Sequence, residues 1–160
     1  MSDFPRTLKH LTAWLLIGTG VFLAVQFWQA QQRRPAVTVA DGVVELRRGS
    51  DGHFHWPGSV NGEPVDFLVD TGATRTALPQ ALAERLGLQS EGRVRSATAG
   101  GTVQGYAARA DIALRGGVQA LRLPVTVLPA LDAPLLGMDL LGRLSFTQAD
   151  GVLRLRRPPT

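Results

Sequence analysis

Asn61-Gly62-Glu63-Pro64-Val65-Asp66-Phe67-Leu68-Val69-Asp70-Thr71-Gly72-Ala73-Thr74 is the stretch on which the reading of the fold turns. Asn61-Gly62 is a strong signal for a two-residue hairpin turn, because both residue types tolerate the positive φ angles such a turn demands. Val65 to Val69 is short, mostly apolar and rich in β-branched and aromatic residues, which predicts a buried strand. That strand delivers Asp70 into a tight turn beside an apolar core. A lone carboxylate in such a place is costly, so it must find donors, bind a proton more tightly, or share a proton with a neighbour. Two such groups facing each other satisfy the last condition. Gly72 allows close approach of backbone to the carboxylate, the Thr71 hydroxyl can brace the loop, and Ala73 keeps its floor small.

Upstream, Val37-Thr38-Val39, an Asp41-Gly42 turn and Val43-Val44-Glu45-Leu46 predict a first hairpin. His53 to Trp56 and Ser59-Val60 lead into the Asn61-Gly62 turn. Downstream, Leu78 to Leu88 is expected to form the main short helix. Pro79 stands near its start and Gly87 just past its end, and Leu82 and Leu86 share a face that covers the core. Ala97 to Val103 reads as a Gly-tipped hairpin with a mobile loop at 99–102. Ala110 to Leu114, Leu123 to Leu128 and Leu153 to Leu155 are expected strands, and Pro134 to Met138 is an apolar run stopped by Gly137. No internal repeat is seen.

The bulk composition agrees. Hydrophobic residues form 44% of the chain and aromatic residues 6%, which suits a small aliphatic core, and 18 Gly with 10 Pro favour strands joined by turns. At 160 residues, one domain with an appendage is expected. The formal charge of +4 is scattered, with no basic stripe interleaved with aromatics, so nucleic acid is not an expected partner. The absence of cysteine excludes disulfides, thiol nucleophiles and Cys-based metal sites.

Leu11 to Trp28 carries no charged residue, is near the minimum length for a membrane-crossing helix, and ends in Trp14, Phe27 and Trp28 with Arg6, Lys9, Arg33 and Arg34 as flanks. The residues after it lack the small-x-small pattern of a cleavage site, so an uncleaved anchor is expected. The resulting division is an N-terminal tail at 1–10, a transmembrane anchor at 11–28, a polar linker at 29–36 and a folded domain at 37–160. Charge does not orient the span, since two basic residues lie on each side. A short tail before the span and the whole domain after it is the usual arrangement of a signal anchor that exports its C-terminal part.

The triplet Asp70-Thr71-Gly72 alone says little, since chance would produce it in on the order of a few chains per hundred of this length. Its setting is more specific. The run V-N-G-x-P-V-x-F-L-V-D-T-G-A-T, then a short helix ending in L-G-L, a Gly-tipped hairpin and L-L-G, resembles the retropepsin-like (clan AA) aspartic peptidases over residues 37 to 157, and more closely their membrane-anchored proteobacterial branch. The resemblance implies an all-β acid-protease barrel with one short helix, preceded here by a transmembrane helix, that acts as a homodimer. It implies Asp70 as the catalytic aspartate, Thr71, Gly72 and Ala73 as its loop, and Thr98, Ala99, Gly100, Gly101, Thr102 and Val103 as the flap. Leu135, Leu136 and Gly137 would be the second apolar-Gly element beside that loop. It also implies hydrolysis of peptide or protein substrates by a water activated between two Asp70 carboxylates, without cofactor or metal, and a location in a bacterial inner membrane with the peptidase domain in the periplasm. Because the motif occurs once, a second copy is required.

The alternative is a binding or scaffold module that keeps the fold without turnover. Asp139, two residues after Gly137, is read as a helix N-terminal or turn carboxylate rather than a second acid. Arg75, where similar proteins line the substrate cleft, is a candidate for favouring an acidic side chain. His53 and His55 alternate on an expected strand, but two histidines without a third ligand do not make a metal site.

Overall fold

The computed structural model describes residues 14–26, 37–98 and 101–157. The chain forms two units, Met1–Arg34 and Pro35–Thr160. In the first, residues 14–26 form helix α1, whose side chains are exposed, and Thr19 Oγ1 donates to the Leu15 carbonyl at 2.8 Å. The expected span at 11–28 runs past the described residues at both ends, and the expected tail and linker lie outside them. No helix among the described residues is long and apolar enough to cross a membrane.

The second unit is built almost wholly of strands. β1 (Val37–Ala40) and β2 (Val43–Arg47) form the expected first hairpin, with Asp41 and Gly42 at φ of 50° and 75° in its turn. β3 (His55–Val60) and β4 (Glu63–Val69) form the second, turned at Asn61 (φ 50°) and Gly62 (φ 85°). β3 begins later than expected, leaving His53 outside it, and it runs unbroken through Pro57 and Gly58.

Then come β5 (Ala77–Pro79), helix α2 (Gln80–Arg85), β6 (Gly92–Thr98), β7 (Gly101–Leu114), β8 (Val118–Leu128), β9 (Leu135–Leu136), the single-turn helix α3 (Met138–Leu141), β10 (Ser145–Ala149) and β11 (Val152–Arg156). The helix expected over Leu78 to Leu88 is shorter. Leu78 and Pro79 pair with Val127 and Leu128 as a buried parallel strand, and Pro79 caps the helix from outside. Its C-terminal end is as the glycine predicts: Gly87, at φ 64°, donates to Glu84 O and Leu88 to Ala83 O, the paired bonds of a Schellman motif.

One sheet has the order β3-β4-β9-β5-β8-β7-β6, and β3 also pairs with β7. Six strands therefore close on themselves, and β6 extends from the ring as one arm of the β6–β7 hairpin. A second sheet, β1-β2-β11-β10, joins the two ends of the unit. Trp56, Phe67, Leu78, Ile112, Leu136, Leu140 and Leu141 are fully buried, and Val44, Leu46, Leu153 and Leu155 of the second sheet belong to the same apolar cluster. The Trp56 indole N–H donates to Arg115 O at 2.8 Å, so the largest core side chain carries no unsatisfied polar atom.

Candidate active site

The position of Asp70 follows from how β4 ends. β9 runs parallel to β4, pairing Leu68 with Leu135 and Val69 with Leu136, and antiparallel to β5 through Ala77 and Leu135. Beyond that ladder, the Asp70 N–H donates to Leu136 O at 3.1 Å, and the Val69 N–H donates to Phe54 O at 2.9 Å. The chain then turns, with Ala73 N–H donating to Asp70 O at 3.2 Å. The Gly72 N–H donates to Asp70 Oδ1 at 2.9 Å, which fixes the carboxylate of a partly buried residue. A methyl group at position 72 would sit 3.2 Å from that same oxygen, so glycine keeps the contact open. Thr71 is exposed, and its hydroxyl makes no hydrogen bond among the described residues.

The apolar-Gly element passes directly behind this loop. Leu136 is buried, and a Cβ on Gly137 would lie 2.4 Å from Arg75 C, 2.6 Å from Arg75 O and 2.7 Å from Thr76 N, all backbone atoms. Only glycine allows β9 and the loop to come this close. Met138 N–H donates to Ala73 O at 2.8 Å and Asp139 N–H to Thr74 O at 3.2 Å, which ties the start of α3 to the loop.

Asp139 lies in the first turn of α3, consistent with the sequence reading, and it also does something that reading missed. Its carboxylate receives the Thr76 N–H at 3.0 Å on each oxygen and the Thr76 hydroxyl at 2.8 Å on Oδ1, while Thr76 Oγ1 accepts from Gly137 N–H at 3.3 Å. Thr76 is wholly buried and fully satisfied. Asp139 is thus a clamp on the far end of the Asp70 loop. A buried Thr six residues after Asp70 was the available signal, but only the fold brings it to Asp139.

In front of the loop lies a cleft of about 1050 Å³. Asp70, Gly72, Ala73, Thr74 and Arg75 of the loop line it, together with Val94 to Ala97 of β6 and Val103 of β7. Leu128, Ala130, Leu131 and Leu135 add apolar lining. Asp70 is the sole carboxylate among these lining residues. Of the expected flap, Gly101 and Thr102 stand at the start of β7 with Val103, Thr98 pairs with Gly101 at the end of β6, and Ala99 and Gly100 lie outside the described residues. Sequence reasoning missed Arg95, which lines the cleft from β6.

His53 and His55 serve a different purpose from the one their spacing raised. His55 Nε2 is 2.7 Å from Asp51 Oδ2 and its Nδ1 is 3.4 Å from Asp66 Oδ2, while His53 N–H donates to Asp51 Oδ1 at 3.1 Å. They staple the Asp51 turn to the β3–β4 hairpin. Hydrogen bonds from His55 and from the His53 backbone hold the Asp51 carboxyl below its ordinary value, whereas burial raises that of Asp66.

Comparison with known proteins gives a family. The gag-polyprotein putative aspartyl protease family model matches residues 56–143, more than half of the chain and the whole of the Asp70 loop, flap hairpin and Gly137 element. A protein of Sinorhizobium sp., described as uncharacterized in the cobV 5′ region, is 33% identical over 132 residues, which are 78% of this chain and 57% of that one. An uncharacterized protein of Rickettsia prowazekii (strain Madrid E) is 33% identical over 113 residues, 68% of this chain and 48% of that one. The chain spans about half the length of the curated relatives it matches. The crystal structure of a retropepsin-like aspartic protease from Rickettsia conorii superposes with a TM-score of 0.57 at 27% identity, covering 78% of this chain and 96% of that one. The chain therefore belongs to the gag-polyprotein aspartyl protease family and has its retropepsin-like fold.

Proposed function

We propose that the chain is a membrane-anchored aspartic endopeptidase in which two copies each contribute Asp70 to one active site. The observation that carries this reading is that a cleft of peptide-binding size holds one carboxylate, fixed at the end of a buried strand, and no second acid among its lining residues. Chemistry with an activated water needs an acid and a base together, so the missing partner must come from a second copy. In the pair, one carboxylate is ionised and the other holds the shared proton. The ionised group takes a proton from a bound water as the water oxygen attacks the scissile carbonyl carbon, and the protonated group donates to the carbonyl oxygen. Return of a proton to the amide nitrogen then lets the C–N bond break, and no covalent enzyme intermediate forms. Gly72 and the Thr76–Asp139 clamp hold the carboxylate where this exchange requires it. The β6–β7 hairpin, which carries the expected flap, would cover the bound peptide.

The uncharged segment around α1, with its aromatic and basic flanks, supports an anchor at 11–28 in a bacterial inner membrane, with the peptidase domain in the periplasm. The test is cleavage of a diverse peptide pool by the 160-residue chain in detergent micelles, beside Asp70→Asn. Cleavage by the wild type alone is expected. Equal cleavage by both forms removes Asp70 from catalysis, and no cleavage by either at concentrations where the dimer is populated favours a binding module.

A further inference from the structure

Several arginines of the folded unit are engaged by carboxylates away from the Asp70 cleft, whereas the two that line the cleft are not. Arg85 pairs with Glu63 at 3.5 Å, Arg109 with Glu91 at 3.1 Å and Arg154 with Glu45 at 2.6 Å. The side chains of Arg75 and Arg95 have no hydrogen-bond or ion-pair partner among the described residues, and both residues line the Asp70 cleft. They come from different elements, Arg75 from the loop that carries Asp70 and Arg95 from strand β6, so the lining of the cleft includes two arginines without a side-chain partner among the described residues. Its remaining lining is small or apolar apart from Thr74, Ser96 and Thr126. A peptide lying in it meets Asp70, apolar lining and two positive, fork-shaped donors that match a carboxylate in two-point geometry.

From this arrangement we infer that the substrates are peptides with Asp or Glu side chains flanking an apolar scissile bond, and that Arg75 and Arg95 select them. The inference rests on the peptidase reading given above. If two copies build the site, both arginines occur twice, related by the dimer axis, and acidic residues are favoured on both sides of the bond. The selection acts through charge complementarity, so it weakens as salt screens the cleft.

The test uses the 160-residue chain in detergent micelles with three matched peptides that carry Glu, Gln or Lys on both sides of one apolar bond. Two quantities are measured: kcat/KM with the wild type, and binding of the fluorescent peptides to Asp70→Asn by anisotropy. The Glu peptide is expected to exceed the Gln peptide by about tenfold or more in both, as one well-formed carboxylate–guanidinium contact supplies. The Lys peptide should fall below Gln. In Arg75→Gln/Arg95→Gln the ratio of Glu to Gln should drop to about twofold or less, and Arg75→Lys/Arg95→Lys should restore much of it, because the charge returns without the fork. A wild-type ratio near one in both measurements overturns the inference while leaving the peptidase reading intact wherever the peptides are cut. A ratio that survives the double Gln substitution also overturns it. Absence of cleavage together with a clear preference in binding overturns the peptidase reading and keeps the acidic-peptide selectivity.

Discussion

Asp139 grips Thr76 by three hydrogen bonds, from a buried backbone N–H shared by both carboxylate oxygens and from the hydroxyl at 2.8 Å, across 63 residues of sequence. The contact sets the far end of the loop whose near end is Asp70. Asp139→Ala would leave the Thr76 N–H and hydroxyl buried without an acceptor, and it is expected to lower stability by about 2–4 kcal/mol. Chemical denaturation of wild type and variant checks this, and a loss below about 0.5 kcal/mol would show that water replaces the carboxylate without penalty.

Gly137→Ala forces a methyl group into the backbone of Arg75 and Thr76. Neither strand can yield without moving Asp70, so the substitution should cost about 1–3 kcal/mol or more and reduce peptide cleavage more than binding. Calorimetry and steady-state kinetics on the same preparation separate the two effects. An unchanged kcat would mean that the loop relaxes without disturbing the carboxylate.

Mixing Asp70→Asn with wild-type chains tests the shared site directly. Random exchange at equal amounts leaves about a quarter of the dimers with two intact carboxylates. Total activity should therefore fall to about half of that expected for independent wild-type chains. Activity proportional to the wild-type fraction alone would mean that each chain works by itself.

Dilution gives a related prediction. Activity per chain should fall on dilution in micelles and persist when the chains share vesicles at fixed surface density, because confinement raises the effective concentration. The same loss in both settings would separate the anchor from dimer formation.

The Asp51 staple makes stability depend on pH in a definable window. Its carboxyl is held below the ordinary value of 3.8, so the folded state binds this proton less readily than the unfolded chain does. The contribution is complete above pH about 4 and disappears as pH falls through the lowered value. Asp51→Asn should therefore melt below wild type at pH 6, with the gap narrowing toward pH 2.5. A gap of constant size would assign the staple to geometry rather than charge.

Much of the barrel was legible because its signals are local. Asp41-Gly42 and Asn61-Gly62 announce hairpins by demanding positive φ, and Val65 to Val69 names the buried strand that ends at Asp70. β10 gives no strand signal because all five of its residues are exposed and lack alternation, although Asp150-Gly151, at φ of 49° and 72°, marks the turn that creates it. The helix expected from Leu78 exceeds the one that forms because Pro79 suits both a helix start and the end of a strand, and only pairing with β8 distinguishes them. The Thr76–Asp139 clamp and the role of Arg95 depend on contacts between distant segments, which no spacing within one element encodes.

The pairing of β2 with β11 sets an order of events during synthesis. Val44 and Leu46, both buried, lie opposite Leu155 and Leu153 in the ladder, more than a hundred residues later. A ribosome must therefore release the residues of β11 before the second sheet can close, and until then β2 presents an open edge and an apolar face to its surroundings. A chain stopped after Ala149 would hold every residue of the Asp70 loop and still lack the strand that seals the domain, so truncations at the C-terminus should first appear as aggregation and only second as lost activity.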